Sequence, residues 1–203
     1  LAIFLFVGAF SPGPNNLLAS YSGFNFGIKK TLPLIYGVTF GFPIVLISVN
    51  SGLAIIFNKF PVFQEVLKIL GSGFLIYMAY KIAFSSKSEE KEIKNPAKFF
   101  NMIIFQFINP KAVLIAIITV STFISQNENF IRDSIIVISF AIFFSFTSIM
   151  SWSLLGKFLQ RFANNERFIR IYNYAMSFLL IICVIMFYVW IMKFGKKNSF
   201  NCI

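Results

Sequence analysis

The chain has 203 residues, of which 58% are hydrophobic and only 12% are charged. Soluble domains carry about 25% charged residues, so this composition excludes a soluble protein and predicts an all-α integral membrane protein. The formal net charge of +11 is spread over short loops, which indicates contact with an anionic lipid bilayer and argues against nucleic-acid binding.

Six apolar segments follow one another, each long enough for the about 20 helical residues that span a bilayer. They cover residues 1–27, 32–57, 62–84, 99–124, 134–156 and 171–192. We therefore predict six transmembrane helices, arranged as two three-helix repeats. The repeats cover residues 1–84 and 99–194, with a charged cytoplasmic linker at 85–98 and a tail at 195–203.

The distribution of lysine and arginine predicts the orientation of these helices. The loops between segments 1 and 2, 3 and 4, and 5 and 6 carry Lys29, Lys30, Lys87, Lys91, Lys94, Lys98, Lys157, Arg161, Arg167 and Arg170. The opposite side carries only Lys59, Arg132, Lys193, Lys196 and Lys197. By the positive-inside rule, these three loops face the cytoplasm and both termini face outward.

The first segment is interrupted by FSPGPNN at residues 10–16. A proline lacks the backbone N–H and costs about 3 kcal/mol in a helix interior, and unpaired backbone groups in hydrocarbon cost more. Such a break survives where it lines a cavity or packs against protein; the alternative is a plain kink. We expect Ser11 and Pro12 to form the N-cap and first residue of a half-helix.

The fourth segment contains a matching interruption, Asn109-Pro110-Lys111. Asn109 and Pro110 also have the pattern of an N-cap and a first helical residue. Because three segments separate the two breaks, the two halves of the chain must cross the bilayer in opposite orientations. Paired breaks of this kind are typical of inverted-repeat transporters, whose binding sites lie near the bilayer midplane.

The two breaks predict a ligand with two opposite charges. A half-helix presents free N–H groups and the positive end of its dipole, which suit a carboxylate. Carbonyls freed at a break can accept hydrogen bonds from an ammonium group, so a zwitterionic amino acid matches both features. Lys111 lies at membrane depth, and we expect it to pair with the substrate carboxylate or with carbonyls of the first break. The alternative is a structural lysine that extends toward water.

Other polar and small residues in the segments are candidates for narrower roles. Gln106 is a polar group at membrane depth, suited to a cavity wall or to a hydrogen bond between helices. Glu65 is either an interfacial ion-pair partner of Lys68 or a proton carrier. Gly37 and Gly41 form a small-xxx-small pair, which favours close helix packing.

Side chains that carry catalysis or bind metals are scarce. The chain contains no histidine, and its two cysteines, Cys183 and Cys202, lack metal-ligand spacing. No pairing of a nucleophile with a base is evident in the sequence. We therefore predict that the protein is not an enzyme and uses neither a metal nor another cofactor.

Four stretches carry a family likeness: SPGPNNLLA at 11–19, GVTFG at 37–41, LKILGSGFLIYMAYKI at 67–82 and FINPKAVL at 107–114. Together they resemble the lysine exporter (LysE/RhtB-type) amino-acid efflux family. The resemblance implies an inner-membrane secondary carrier that exports amino acids or related metabolites in exchange for protons. The positions that match the family's motifs are Ser11, Pro12, Gly13, Pro14, Asn15, Asn109, Pro110 and Lys111.

The second segment departs from the family pattern. Many relatives place an acidic residue just after GVTFG, whereas this chain has Phe42 and Pro43 there. If that acid carries protons in the relatives, coupling in this chain must use another group or be absent.

These observations predict a multi-pass exporter that works by alternating access, with a small amino acid and the lipid bilayer as its partners. The alternatives are an exporter of metal ions or other small solutes, and a non-transporting membrane scaffold. A scaffold would not need two matched helix breaks, and the lack of histidine disfavours metal transport. The sequence leaves open whether the chain forms a homo-oligomer.

Overall fold

The computed structural model describes residues 1–53, 61–84, 97–124, 128–162 and 166–198. Within these ranges the chain forms seven α-helices and no strand, which confirms the predicted all-α class. The helices are α1 (Ala2–Phe10), α2 (Pro14–Ser48), α3 (Pro61–Ala83), α4 (Phe99–Ile108), α5 (Pro110–Phe123), α6 (Phe130–Leu159) and α7 (Glu166–Asn198). A π-helical turn, Val49–Leu53, follows α2, and a 3-10 turn, Gln160–Phe162, follows α6.

Three helical stretches are long and apolar enough to cross a membrane. They are Pro14–Gly52, Phe130–Phe162 and Glu166–Ile185, among the residues that the structure describes. The helices α4 and α5 meet at an angle of 68° and would together form a fourth, broken span. The structure thus confirms a multi-pass membrane protein, and the number of six spans stays a prediction.

Helix α2 changes direction at Gly27, where the backbone adopts φ 73° and ψ 170°. Such a positive φ favours glycine because a Cβ would clash there. The hydroxyl oxygens of Ser22 and Thr31 lie only 2.8 Å apart. Nine residues of continuous helix would separate them by about 13 Å. The chain therefore turns back at Gly27, between a first arm of α2 (residues 14–26) and a second arm (residues 28–48).

The first arm of α2 packs directly against α6. A Cβ atom built on Gly156 would overlap the carbonyl oxygen of Ser20, and one built on Gly23 would overlap the carbonyl oxygen of Ser153. The two backbones therefore touch where the helices cross. Glycine at both positions permits an approach that any side chain would prevent.

The second arm of α2 packs against α4, which carries the second break. A Cβ atom on Gly37 would lie 2.6 Å from the carbonyl oxygen of Phe99. One on Gly41 would lie 2.8 Å from Cγ of Gln106. Both glycines thus lie at a close contact between two helices, and Gly41 faces Gln106 on α4.

The helices α3 and α7 pair with each other at the side of the molecule. The hydroxyl of Ser177 donates a hydrogen bond to the carbonyl oxygen of Ala79 at 2.8 Å, joining the two helices. Glu65 belongs to α3, but its side chain lies outside the described part of the structure. The prediction that Glu65 carries protons is therefore not tested.

The two helix breaks lie between two clusters of buried apolar side chains. One cluster gathers Leu17, Leu18, Leu34, Leu75, Met102 and Phe105, among others, and the second gathers Leu5, Phe42, Val45, Ala112 and Ala141. Buried polar side chains occupy the layer between them, namely Asn16, Gln106, Asn109 and Ser148. Polar groups buried at this depth must find partners within the protein, and that requirement builds the site.

Candidate functional site

The second break is a single residue, Asn109, between α4 and α5. Its side-chain Oδ1 accepts a hydrogen bond from the backbone N–H of Lys111 at 3.2 Å, and Pro110 occupies the first helical position. This arrangement confirms the N-cap and proline predicted from the sequence. Proline is tolerated there because the missing N–H would have had no helical partner.

The first break is longer and begins differently from the sequence-based expectation. Helix α1 ends at Phe10, and α2 begins at Pro14 with Gly13 as its N-cap. The expectation that Ser11 and Pro12 start the half-helix is therefore wrong. The hydroxyl of Ser11 instead turns back to donate to the carbonyl oxygen of Gly8 at 3.2 Å, so Ser11 closes α1.

Carbonyl groups freed at the first break are paired by side chains from two other places. The amide Nδ2 of Asn16 donates to the carbonyl oxygens of Ala9 at 2.8 Å and Ser11 at 2.9 Å. The hydroxyl of Ser148, on α6, donates to the same carbonyl of Ala9 at 2.8 Å. These bonds satisfy backbone groups that would otherwise be exposed to an apolar environment.

Lys111 joins the two breaks. Its ammonium Nζ donates to the carbonyl oxygen of Ser11 at 2.7 Å. Its side chain passes over Gly13, where a Cβ atom would lie 2.9 Å from both Cδ and Nζ of Lys111. Of the two partners expected for this lysine, the structure shows the carbonyl of the first break. The missing side chain at Gly13 provides the path by which the ammonium reaches it.

An amide pair links the first arm of α2 to α4 beside the lysine. Asn15 Nδ2 donates to Gln106 Oε1 at 2.8 Å, and Gln106 Nε2 donates to Asn15 Oδ1 at 3.3 Å. Gln106 is fully buried, and its Nε2 also donates to the carbonyl oxygen of Met102 at 2.9 Å. The pair holds the start of α2 next to the end of α4.

A cavity of about 60 Å³ lies between the breaks. Since one water needs about 10–15 Å³ in this measure, the cavity holds roughly four to six water-sized groups. The cavity is lined by residues of both breaks, and the Lys111 ammonium in its wall is bonded to the Ser11 carbonyl of the first break. Its polar wall comprises Gly13, Asn15, Asn16, Gln106, Asn109, Lys111, Ser145 and Ser148.

Sequence comparison places this arrangement in a family. The model of the LysE type translocator family matches residues 6–190, which is nearly the whole chain. The chain belongs to the LysE type translocators. Cysteine/O-acetylserine efflux proteins of Escherichia coli, Shigella flexneri and Shigella sonnei are each 27% identical over 183 residues, covering 88% of this chain and 91% of theirs. No solved structure matches the chain significantly.

In this LysE type translocator, the residues predicted from the sequence fall into two groups. Five of them line the cavity: Gly13, Asn15, Gln106, Asn109 and Lys111. The others, Ser11, Pro12, Pro14 and Pro110, form the breaks themselves. Of these four, Ser11 takes part in the polar contacts described above, through its carbonyl and its hydroxyl. The structure therefore brings both motifs to one place, and their role in binding stays a prediction.

Three residues of the translocator's site were not predicted as site residues. Asn16 makes two of the hydrogen bonds that hold the first break, and Ser148 makes a third. Trp152, one turn after Ser148, donates from Nε1 to the carbonyl oxygen of Phe10 at 3.4 Å. For Ser148, the sequence signal was the run of serines and threonines at residues 145–153, which the sequence alone could not assign to one face of the helix.

Proposed function

We propose that this translocator exports small amino acids or closely related metabolites from the cytoplasm, across the inner membrane, by alternating access. The observation that carries the proposal is the cavity between the two breaks, which residues of both breaks line and whose wall contains the Lys111 ammonium, itself bonded to a backbone carbonyl. A transporter of zwitterions needs donors and acceptors of this kind at the midplane of the membrane.

Each charged group of an amino acid finds a suitable partner in the cavity. The carboxylate would bind at the starts of α2 and α5, where helix N-termini offer N–H groups, with the Lys111 ammonium nearby. The substrate ammonium would bind the carbonyl of Ser11, since the carbonyl of Ala9 already accepts from Asn16 and Ser148. Because Lys111 now occupies the Ser11 carbonyl, we propose that substrate binding displaces it toward the carboxylate.

Helix packing supports the proposal of two inverted repeats and six spans. Six elements follow in chain order when α1 and the first arm of α2 count as one broken span, the second arm of α2 as the next, and α4 with α5 as another broken span, beside α3, α6 and α7. The first element packs on the fifth, and the fourth packs on the second. Exchange of the two repeats converts one of these contacts into the other and maps the contact between α3 and α7 onto itself. Such an arrangement is suited to rocking of one half against the other.

The size of the cavity and the names of the relatives favour a small, neutral substrate. The cavity holds only a few water-sized groups in the conformation described, and no acidic side chain stands beside Lys111 in its wall among the described residues. The similar proteins are named for efflux of cysteine and O-acetylserine, both small neutral amino acids. We therefore propose a substrate of this size and charge class.

Proton coupling in this chain needs a group other than an acid after the second glycine of GVTFG. Phe42 stands in the cavity wall at the position where many family members are expected to carry an acid. Glu65 remains the proposed proton carrier. Replacement of Glu65 by Gln should abolish the dependence of export on an imposed pH gradient, whereas an interfacial ion pair would leave that dependence intact.

The binding role of Lys111 is tested by amino-acid export from cells loaded with dipeptides. A hydrogen bond to a charged group contributes about 1.5–3 kcal/mol, so Lys111→Met should slow export about 10- to 100-fold at equal protein level. Lys157→Met, which replaces an exposed lysine at the end of α6, is the matched control and should leave export unchanged. Equal export by all three proteins would remove Lys111 from the site.

A further inference from the structure

A second cavity, of about 590 Å³, lies beside the first and is roughly ten times larger. Its walls come from the first arm of α2, the second half of α3 and helix α4, with Leu34 from the second arm of α2 and Ala97 just before α4. Most of the lining is apolar, with Leu18, Phe74 and Phe105 as examples. The residues in the wall with polar side-chain atoms are Tyr21, Ser22, Tyr77, Lys81 and Asn101.

The position of this cavity in the membrane follows from the loops around it. Phe26 in its wall precedes the reversal at Gly27, and Lys81 and Ala97 flank the charged linker between α3 and α4. Both connections carry the excess of lysine that the positive-inside rule assigns to the cytoplasm. The cavity therefore lies at the cytoplasmic end of the molecule in the orientation proposed above.

The inner end of this cavity reaches the site between the breaks. Leu18 in its wall lies one helical turn after Asn15, and Met102 lies one turn before Gln106. The reciprocal amide pair of Asn15 and Gln106 thus stands at the boundary between the two cavities. Separation of the first arm of α2 from α4 would break this pair and join the two spaces.

The charged side chains in the described walls of both cavities are positive. Lys81 lies in the second cavity with its ammonium 5.5 Å from the ring centroid of Tyr77, and Lys111 lies in the first. Neither wall contains a carboxylate among the residues that the structure describes. A cavity with this potential attracts carboxylates and repels cationic solutes.

We propose that the second cavity is the cytoplasmic entrance of the translocator and binds the substrate carboxylate at Lys81 before it passes the Asn15–Gln106 pair. This inference rests on the proposed function and adds a route and a selectivity to it: neutral and acidic amino acids enter, and cationic ones are excluded. A lipid headgroup is a second source of anions for Lys81. Continuity of the cavity with the site favours the substrate.

The route is tested by modifying cysteines in inside-out vesicles, where uptake reports export. Asn101→Cys places a thiol in the cavity wall, and Phe100→Cys places one on the neighbouring residue, whose side chain is 73% exposed on the outside of α4. A negatively charged, membrane-impermeant methanethiosulfonate is added from the cytoplasmic side. We compare uptake of a neutral amino acid before and after modification within each variant, with the native chain as a further control.

We expect modification to lower uptake by Asn101→Cys at least fivefold and saturating substrate to slow the labelling. Uptake by Phe100→Cys and by the native chain should not fall. Labelling without loss of uptake, or no labelling from the cytoplasmic side, would contradict the proposal that this cavity is the entrance. Tyr77→Cys gives a second position in the wall should Asn101→Cys not fold. Failure of the native chain to take up any amino acid would instead contradict the proposed function.

The selectivity is tested with Lys81→Gln in proteoliposomes. We expect the KM for a neutral amino acid to rise about 3- to 10-fold with kcat unchanged, because long-range attraction governs encounter rather than passage. Lys157→Gln, at the same end of the molecule, should leave the KM unchanged. An unaltered KM in Lys81→Gln would contradict the proposal, and so would an effect seen only with anionic lipids, which would assign Lys81 to headgroups.

Discussion

The two helix breaks of this translocator differ in how much backbone they open and in what closes it. At the second break the helical ladder almost continues: the N–H of Asn109 donates to the carbonyl of Phe105 at 2.8 Å, and its own carbonyl accepts from Val113 at 3.1 Å. The side chain of Asn109 also caps the start of α5, because its Oδ1 accepts from the N–H of Lys111. The second break is therefore a bend whose hydrogen bonds are satisfied within a few residues of sequence.

The first break depends on residues far along the chain. Three residues, 11–13, lie outside both helices, and the N-cap, Gly13, has no side chain to offer. Its carbonyls are paired by Asn16 nearby, but also by Ser148 and Lys111 from the other half. The first break thus supplies hydrogen-bond acceptors that residues elsewhere in the fold must satisfy. The second break supplies one of the donors to them, the Lys111 ammonium.

The two helix breaks also differ in how closely their helices pack against neighbouring helices. Replacing single glycines at these contacts tests the difference, and we expect these replacements to have the largest effects on stability. Gly156→Ala forces a methyl group onto the backbone of the first arm of α2, where no side chain can move aside. Overpacking of this kind costs about 1–3 kcal/mol or more. We expect a clear fall in the thermal unfolding midpoint in detergent and loss of monodisperse protein.

Gly41→Ala makes the corresponding change beside the second break. Its methyl group would meet Cγ of Gln106 at 2.8 Å and Cα of Ile103 at 3.0 Å, which is a smaller overlap than the 1.9 Å contact with the Ser20 carbonyl oxygen at Gly156. The unfolding midpoint should fall less than in Gly156→Ala. Gly73→Ala on α3 is the control, because nothing lies within 4 Å of its added atom and alanine favours a helix by about 1 kcal/mol. Equal losses at Gly156 and Gly41 would remove the distinction between the two contacts.

The acceptor character of the first break is tested by Asn16→Leu. This change removes the hydrogen bonds to the carbonyls of Ala9 and Ser11, although Ser148 and Lys111 still donate to them. At about 1 kcal/mol for each lost bond, the free energy of unfolding should fall by about 2 kcal/mol.

Asn25→Leu is the matched control for this substitution. Asn25 lies on the same arm of α2 with an exposed side chain, and its one hydrogen bond goes to the carbonyl of Tyr21 in its own helix. It should change the free energy of unfolding by well under 1 kcal/mol, because hydrogen bonds at exposed positions contribute little. A similar loss in both variants would show that the carbonyls of the first break do not need Asn16.

Local sequence rules predicted the second break well because its partners are local. An asparagine before a proline specifies an N-cap and a first helical residue, and Asn109 and Pro110 occupy those positions. The same rule failed for Ser11 and Pro12, since two prolines competed for one helix start. Pro14 took that position, which placed Gly13 at the N-cap and left Ser11 at the end of α1.

Partners that are distant in sequence could not be predicted in the same way. The bond from Ser148 to Ala9 joins residues 139 positions apart, and that from Lys111 to Ser11 joins residues 100 apart. The contact of Gly23 with α6 likewise depends on where the two helices cross. Composition, hydrophobic segments and paired breaks predicted the all-helical membrane class and the meeting of the two breaks, whose role in binding stays a prediction. The side chains that complete the site depended on tertiary packing.

The donor character of the second break is tested by Asn109→Ala, the smallest effect of the series. Loss of an N-cap costs about 0.5–2 kcal/mol, and the remaining side chains of the cavity are not touched by the change. Asn109→Ser keeps an oxygen that can accept from the N–H of Lys111 and should restore most of the lost stability. If Asn109→Ala lowers export by more than the loss of folded protein explains, and Asn109→Ser restores both export and stability, the capped start of α5 acts on the substrate. If export follows stability in both variants, the second break is structural, and the donors for a carboxylate must come from α2 and Lys111 alone.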